Sequence, residues 1–138
     1  MGDRGQVQLV SEGNPDLYLY THWTANSLPE TVANALDRSR SRWSDHEYLN
    51  RIIFSEMIQD GVLEDIGYGI GFGLHGDVWR VVEIDQDTQT IGIKEINYED
   101  YDLAKLDFTS GEKWIYTTEM MPYDFFIANH ATMPVSTK

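Results

Sequence analysis

The side chains with the widest chemical reach in this chain are its four histidines, His22, His46, His75 and His130. They fall in four separate stretches and lack the HExxH spacing that sets two imidazoles on one helix face, so no metal site is expected. His22 stands out by its company. In the run from Tyr18 to Trp23, Tyr18, Tyr20 and His22 alternate with Leu19 and Thr21, so an extended strand would present the three rings on one face. There they could line a polar aromatic pocket or meet a neighbouring element as ordinary half-buried rings. Asp3 and Arg4, just ahead of the first strand, are open to the same two readings, a local ion pair or part of a site.

The remaining chemistry is sparse. Gly69-Ile70-Gly71-Phe72-Gly73 lacks the spacing of the dinucleotide fingerprint, and no GK[ST] follows it. Its glycines are expected to let a helix or an aromatic side chain pack flat on a strand. No GxSxG elbow and no Ser/Lys signature is present, and the absence of cysteine removes thiol catalysis, disulfides and thiolate zinc sites. Glu47 and Arg51 have the helix-stabilising order of acid before base at four-residue spacing, so Arg51 needs no ligand to explain it. No motif asks for a cofactor, and none is expected. Tyr98-Glu99-Asp100-Tyr101-Asp102 joins phosphate-like charges to aromatic faces, a combination suited to a basic groove. A solvated acidic loop would show the same pattern.

With 23 acidic against 10 basic residues, the formal charge of −13 over 138 residues repels nucleic-acid phosphate and anionic membranes. Direct nucleic-acid binding and membrane association are therefore not expected. The charge serves either a basic partner protein or solubility alone. The opening residues form no signal-peptide pattern, and no apolar run approaches the roughly 18 residues of a membrane span. Together with the missing cysteines this makes the cytoplasm the expected location. Nothing in the sequence sets an oligomeric state.

The elements that must position these residues follow from hydrophobic period. Alternation predicts a strand over 6–10, turn residues over 11–15, and a second strand over 16–23, together a hairpin. Ser27-Leu28-Pro29-Glu30 forms a capping box for a helix with Leu28, Val32, Ala35 and Leu36 at helical spacing. Ser44-Asp45-His46-Glu47 opens a second, with Leu49, Ile52, Ile53 and Met57 as its stripe and Gly61 as its stop. Strands follow over 67–74, 78–84 and 90–96, the last two joined as a hairpin through Asp85 to Gln89. A last strand over 113–117 precedes a short helix opened by Pro122. The expected fold is a single α+β domain over residues 1–130, a mainly antiparallel sheet of five or six strands with two helices on one face. Residues 131–138 form a frayed tail.

The segments Gly2-Asp3-Arg4, Leu19-Tyr20-Thr21-His22-Trp23, Leu28-Pro29, Arg42-Trp43, Ile52-Ile53-Phe54 with Glu56-Met57, and Gly67-Tyr68-Gly69-Ile70 resemble a small uncharacterised protein family of bacteria and their phages. The resemblance covers about the first half of the chain. It implies a shared fold and a shared site around Asp3, Arg4, His22 and Trp23, and carries no mechanism. Taken with the strand alternation, the resemblance implies a pocket of Asp3, Arg4, Tyr20, His22 and Trp23, expected to be the most polar concavity of the first half of the chain. Two functions follow as expectations. One is an acidic protein-binding module, in its sharpest form a phage-borne nucleic-acid decoy that inhibits a basic partner through Tyr98–Asp102. The alternative is a small-molecule-binding protein or enzyme that uses the pocket near Tyr20 and His22.

Overall fold

A computed structural model of the chain describes residues 2–97 and 114–132. The strands are β1 (Gly5–Val10), β2 (Leu17–Thr21), β3 (Tyr68–Gly71), β4 (Arg80–Asp85), β5 (Thr90–Ile96) and β6 (Trp114–Pro122). The helices are α1 (Leu28–Arg38), α2 (His46–Ile58) and α3 (Tyr123–His130). They form one mixed sheet of order β3-β2-β1-β4-β5-β6 in which every neighbouring pair is antiparallel except β1 and β4. The α+β class and the two hairpins, β1 with β2 and β4 with β5, are those the alternation predicts. Three helices rather than two lie on one face of the sheet among the described residues, because the short segment after Pro122 joins the same layer.

Cross-strand register explains why all three lie on one face. Val7, Leu9, Leu19, Val82, Ile84, Ile91 and Ile93 pair with one another across β2, β1, β4 and β5, and all are buried. Leu28, Val32, Ala35 and Leu36 of α1, Leu49, Ile53 and Met57 of α2, and Phe126 and Ile127 of α3 close over them. Each such side chain larger than alanine, fully withdrawn from water, stabilises the fold by roughly 1.5–3 kcal/mol. Glu56 is carried into this layer by α2 and meets the Arg38 guanidinium at 3.1 Å. No helix among the described residues is long and apolar enough to cross a membrane.

The helix starts differ from the capping boxes in detail. Ser27 precedes α1, but its hydroxyl donates to the Thr24 carbonyl instead of capping, because a 3-10 turn over Ala25–Ser27 feeds into the helix. At α2 the cap is Asp45, whose carboxylate accepts the Tyr48 amide, one residue later than the serine of the box. Glu47 and Arg51 form no ion pair among the described residues and instead flank a groove beside α2. Ala131 packs on the core and Thr132 exchanges hydrogen bonds with Asn34, which fastens the first two residues of the expected tail to α1.

Among the described residues, no helix lies on the opposite face of the sheet. Tyr18, Tyr20, Gln8, Glu83, Lys94 and Tyr116 occupy it in register. The Lys94 ammonium donates to Gln8 Oε1 at 3.0 Å and lies 3.3 Å from Glu83, while Gln8 Nε2 donates to Asp16. The Tyr116 hydroxyl donates to Glu83 Oε1 at 2.6 Å. Partial burial, that bond and the charges of Glu83 and Glu119 push the Tyr116 phenol up to about 12. Since the folded state holds the proton more tightly than a free tyrosine does, this contribution to stability is complete below pH 10. It is lost as the pH rises through 12. Chemical unfolding of Tyr116→Phe and parent should therefore show their stability difference changing across that window and constant below it.

Candidate functional site

The antiparallel register of β1 on β2 sets Gly5 opposite Thr21 and so carries the preceding Gly2-Asp3-Arg4 alongside His22. Arg4 Nε donates to His22 Nδ1 at 3.3 Å and lies 3.2 Å from the Asp77 carboxylate. The Tyr20 hydroxyl reaches the same Nδ1 at 3.2 Å, and His75 stacks on the Tyr20 ring with centroids 4.5 Å apart. Trp23 meets His22 edge-on and, on its other side, Tyr68. Arg4, Tyr20 and His22 are half-buried, Trp23 is exposed, and the polar groups face one another. Burial is the largest cause raising the Tyr20 phenol, followed by Asp77, with Arg4 opposing both.

The chemistry open to this cluster is narrow. With Arg4 donating at Nδ1, the neutral imidazole carries its proton on Nε2. A side chain added at Gly2 would begin 2.8 Å from that Nε2 and 2.7 Å from the His22 carbonyl, so the amino-terminal segment lies directly against it. One nitrogen is occupied and the other crowded, and the ring is a fastening for the amino-terminal strand rather than a free base.

Asp3 belongs to a second fastening. Its Oδ1 accepts the Trp79 indole N–H at 2.7 Å, its Oδ2 accepts the Asn26 amide at 2.8 Å, and its carbonyl accepts the Ala25 amide. Arg80, paired with Glu95 at 2.6 Å, donates to the carbonyls of Ala25 and Asn26. The 3-10 turn is thus gripped on its N–H side by Asp3 and on its C=O side by Arg80.

Of the residues read as a pocket, the structure brings Arg4, Tyr20 and His22 together, sets Trp23 at their rim and turns Asp3 away into the turn. His75, Asp77, Trp79 and Gln6 complete the region and are not among the residues the sequence assigns to the pocket, although His75 is weighed as one of the four histidines. Gln6 is buried, donates to the Gly73 carbonyl and accepts the His75 amide, which pulls the chain out of the strand after Gly71. Strand alternation placed Gln6 on the open face, but only the long-range contact gives it this role. The acidic strip Tyr98, Glu99, Asp100, Tyr101 and Asp102 lies outside the described residues.

The glycine run behaves differently from its expected packing role. Trp23 does lie on Gly67, where φ is 101°. At Gly69, Gly71 and Gly73, however, an added Cβ would meet no atom of the described residues within 4 Å. Gly69 and Gly71 pair with Tyr20 and Tyr18, so they share the open face with those rings. The rings do not cover them, because Tyr20 is drawn instead to His75. On the helix side Ile70 is 59% exposed and borders a groove of about 330 Å³ with Leu17, Leu19, Asn50, Arg51 and Phe54. Val62, Leu63, Ile66 and Phe72 are exposed on the same stretch of chain, Leu63 at 96% and Phe72 at 74%. The carboxylates of Glu64 and Asp65 lie among them in sequence, that of Asp60 just ahead of them, and all three are exposed too. No metal-binding group of histidines and carboxylates exists among the described residues. No family model, no curated protein and no solved structure matches the chain.

Proposed function

We propose that the protein is an acidic protein-binding module whose contact surface is the β3 side of the sheet. One observation carries this reading: between positions 62 and 72 five large apolar side chains stand in solvent, interleaved with the carboxylates of Glu64 and Asp65 and preceded by that of Asp60. An exposed apolar patch with a charged rim is the usual composition of a protein contact surface. The total charge of −13 selects a basic partner and accelerates its approach. The polar cluster at Arg4 and His22 supports a ligand pocket less well, since its groups use their hydrogen-bonding capacity on each other.

The test is selection of a random linear peptide display library on the immobilised protein at low salt. Peptides with Lys or Arg beside large apolar residues should enrich, bind more weakly as salt rises, and lose binding when Ile70 and Phe72 are both replaced by Lys. Both positions are exposed, so the fold should tolerate the change. Absence of enrichment, or binding indifferent to the double replacement, would remove the reading. The decoy form is decided separately: replacing Glu99, Asp100 and Asp102 by their amides slows association of the selected peptides only if that strip takes part.

A further inference from the structure

Among the described strands β3 is an outermost one, and the backbone pattern defines which of its groups face outward. The Gly67 carbonyl accepts the His22 amide. In an antiparallel ladder hydrogen-bonded pairs alternate with non-bonded ones. Counting from Gly67 and His22, the bonded pairs are Gly69 with Tyr20 and Gly71 with Tyr18. The N–H and C=O groups of Gly69 and Gly71 therefore point inward to β2, and those of Tyr68 and Ile70 point outward to the free edge.

Such an edge invites another strand, and proteins commonly guard it with lysine, proline or an inward charge. β3 has none of these. It has glycine at two positions where neither backbone angle nor packing among the described residues asks for it: φ is positive only at Gly67 within the run, and no described atom lies within 4 Å of a Cβ built at Gly69 or Gly71. For a strand added antiparallel to β3, residues opposite Tyr68 and Ile70 would form the bonded pairs. Those opposite Gly69 and Gly71 would fall at non-bonded positions, where facing side chains come closest. A large flat side chain there can lie over the bare glycine, and the tyrosines of β2 extend the surface it rests on. Residues on the other face of the added strand would meet Ile70, the groove beside Phe54 and the Glu47 carboxylate.

We infer that β3 receives an extended segment of a basic partner protein as an additional strand, with aromatic side chains at alternate positions seated over Gly69 and Gly71. This rests on the protein-binding reading above and specifies its mode. The recognition is of a known physical kind: main-chain hydrogen bonds supply affinity and alternate side chains supply selectivity.

The probe is a synthetic peptide of alternating tyrosine and lysine, compared with a peptide of the same composition in two blocks. The alternating peptide should bind at least about tenfold more tightly, because only it can put every aromatic ring on one face. Gly69→Val and Gly71→Val should each weaken it about tenfold while leaving the melting temperature unchanged or higher, since valine suits a strand better than glycine does. Hydrogen exchange on the unaltered protein gives a reading independent of any variant: the amides of Tyr68 and Ile70 should slow on binding. Equal binding of the two peptides, unslowed amides, or valine variants that bind like the parent would each overturn strand addition. The library selection would still stand as evidence for a basic partner. Failure of both peptides to bind overturns it as well. If the protein alone is a dimer that Gly69→Val dissociates, the occupant is a second copy and the proposal is wrong.

Discussion

Gly67→Ala should lower the stability of the fold by roughly 2–4 kcal/mol, from two separable costs. The backbone there has φ 101°, a conformation that costs a side-chain-bearing residue about 1–3 kcal/mol. The new Cβ would also lie 2.9 Å from Cε3 and 3.0 Å from Cη2 of Trp23, inside contact distance. Trp23 is 47% exposed and can swing outward, but only by leaving Tyr68 and His22. Denaturant unfolding should show a lower midpoint with an unchanged slope. Repeating the substitution in a Trp23→Ala background should recover the packing part and leave the backbone part, about 1–2 kcal/mol. An unchanged midpoint in the first experiment would mean that the segment leading from α2 into β3 does not adopt this geometry.

Asp3→Ala should cost about 2–4 kcal/mol, whereas Arg4→Ala should cost about 1 kcal/mol or less. The two residues are adjacent and oppositely charged, yet they act in different places. The Asp3 carboxylate accepts two N–H groups, from Trp79 and Asn26, and its removal leaves the indole donor half-buried without a partner. Arg4 meets Asp77 and His22 through one nitrogen, and both sides of its ion pair are substantially exposed. Asp3→Asn should recover little, because an amide offers one acceptor oxygen to two donors and points N–H at the other. The indole N–H resonance of Trp79 should move in both Asp3 variants and stay in place in Arg4→Ala. Equal destabilisation by the Asp3 and Arg4 replacements would contradict the division of roles.

Much of the fold was legible because period reports burial directly. The alternation of Val7 with Leu9 and of Leu17 with Leu19 marked the core face of the first hairpin, and Leu28, Val32, Ala35 and Leu36 marked the buried side of α1. The parallel pairing of β1 with β4 was not legible, since alternation says which face a residue takes and nothing about its neighbour. The approach of Arg4 to His22 was accessible for a local reason: a tight hairpin brings the residues before one strand beside those after the next. His75, Asp77 and Trp79 reach the same region only through the sheet order. The glycine run misled in an instructive way. Small residues announce close approach, and at Gly67 the approaching group is Trp23, whereas at Gly69 and Gly71 nothing in the described chain makes it.

The lone parallel pair has a kinetic consequence. β1, β2 and β3 neighbour one another on one flank, and β4, β5 and β6 on the other, so the sheet is two antiparallel units joined along the seam where Gly5 faces Arg80 and Val10 faces Asp85. Each hairpin can close over a short loop, but the seam closes only once residues far apart in the chain have met, and such non-local closure slows folding. During synthesis the amino-terminal hairpin leaves the ribosome with one side of β1 unpaired and its apolar face without α3. An exposed strand edge beside uncovered apolar surface is the form in which chains aggregate or attract chaperones. Nascent chains halted before Arg80 should therefore bind holdases, and those extended past α3 should release them.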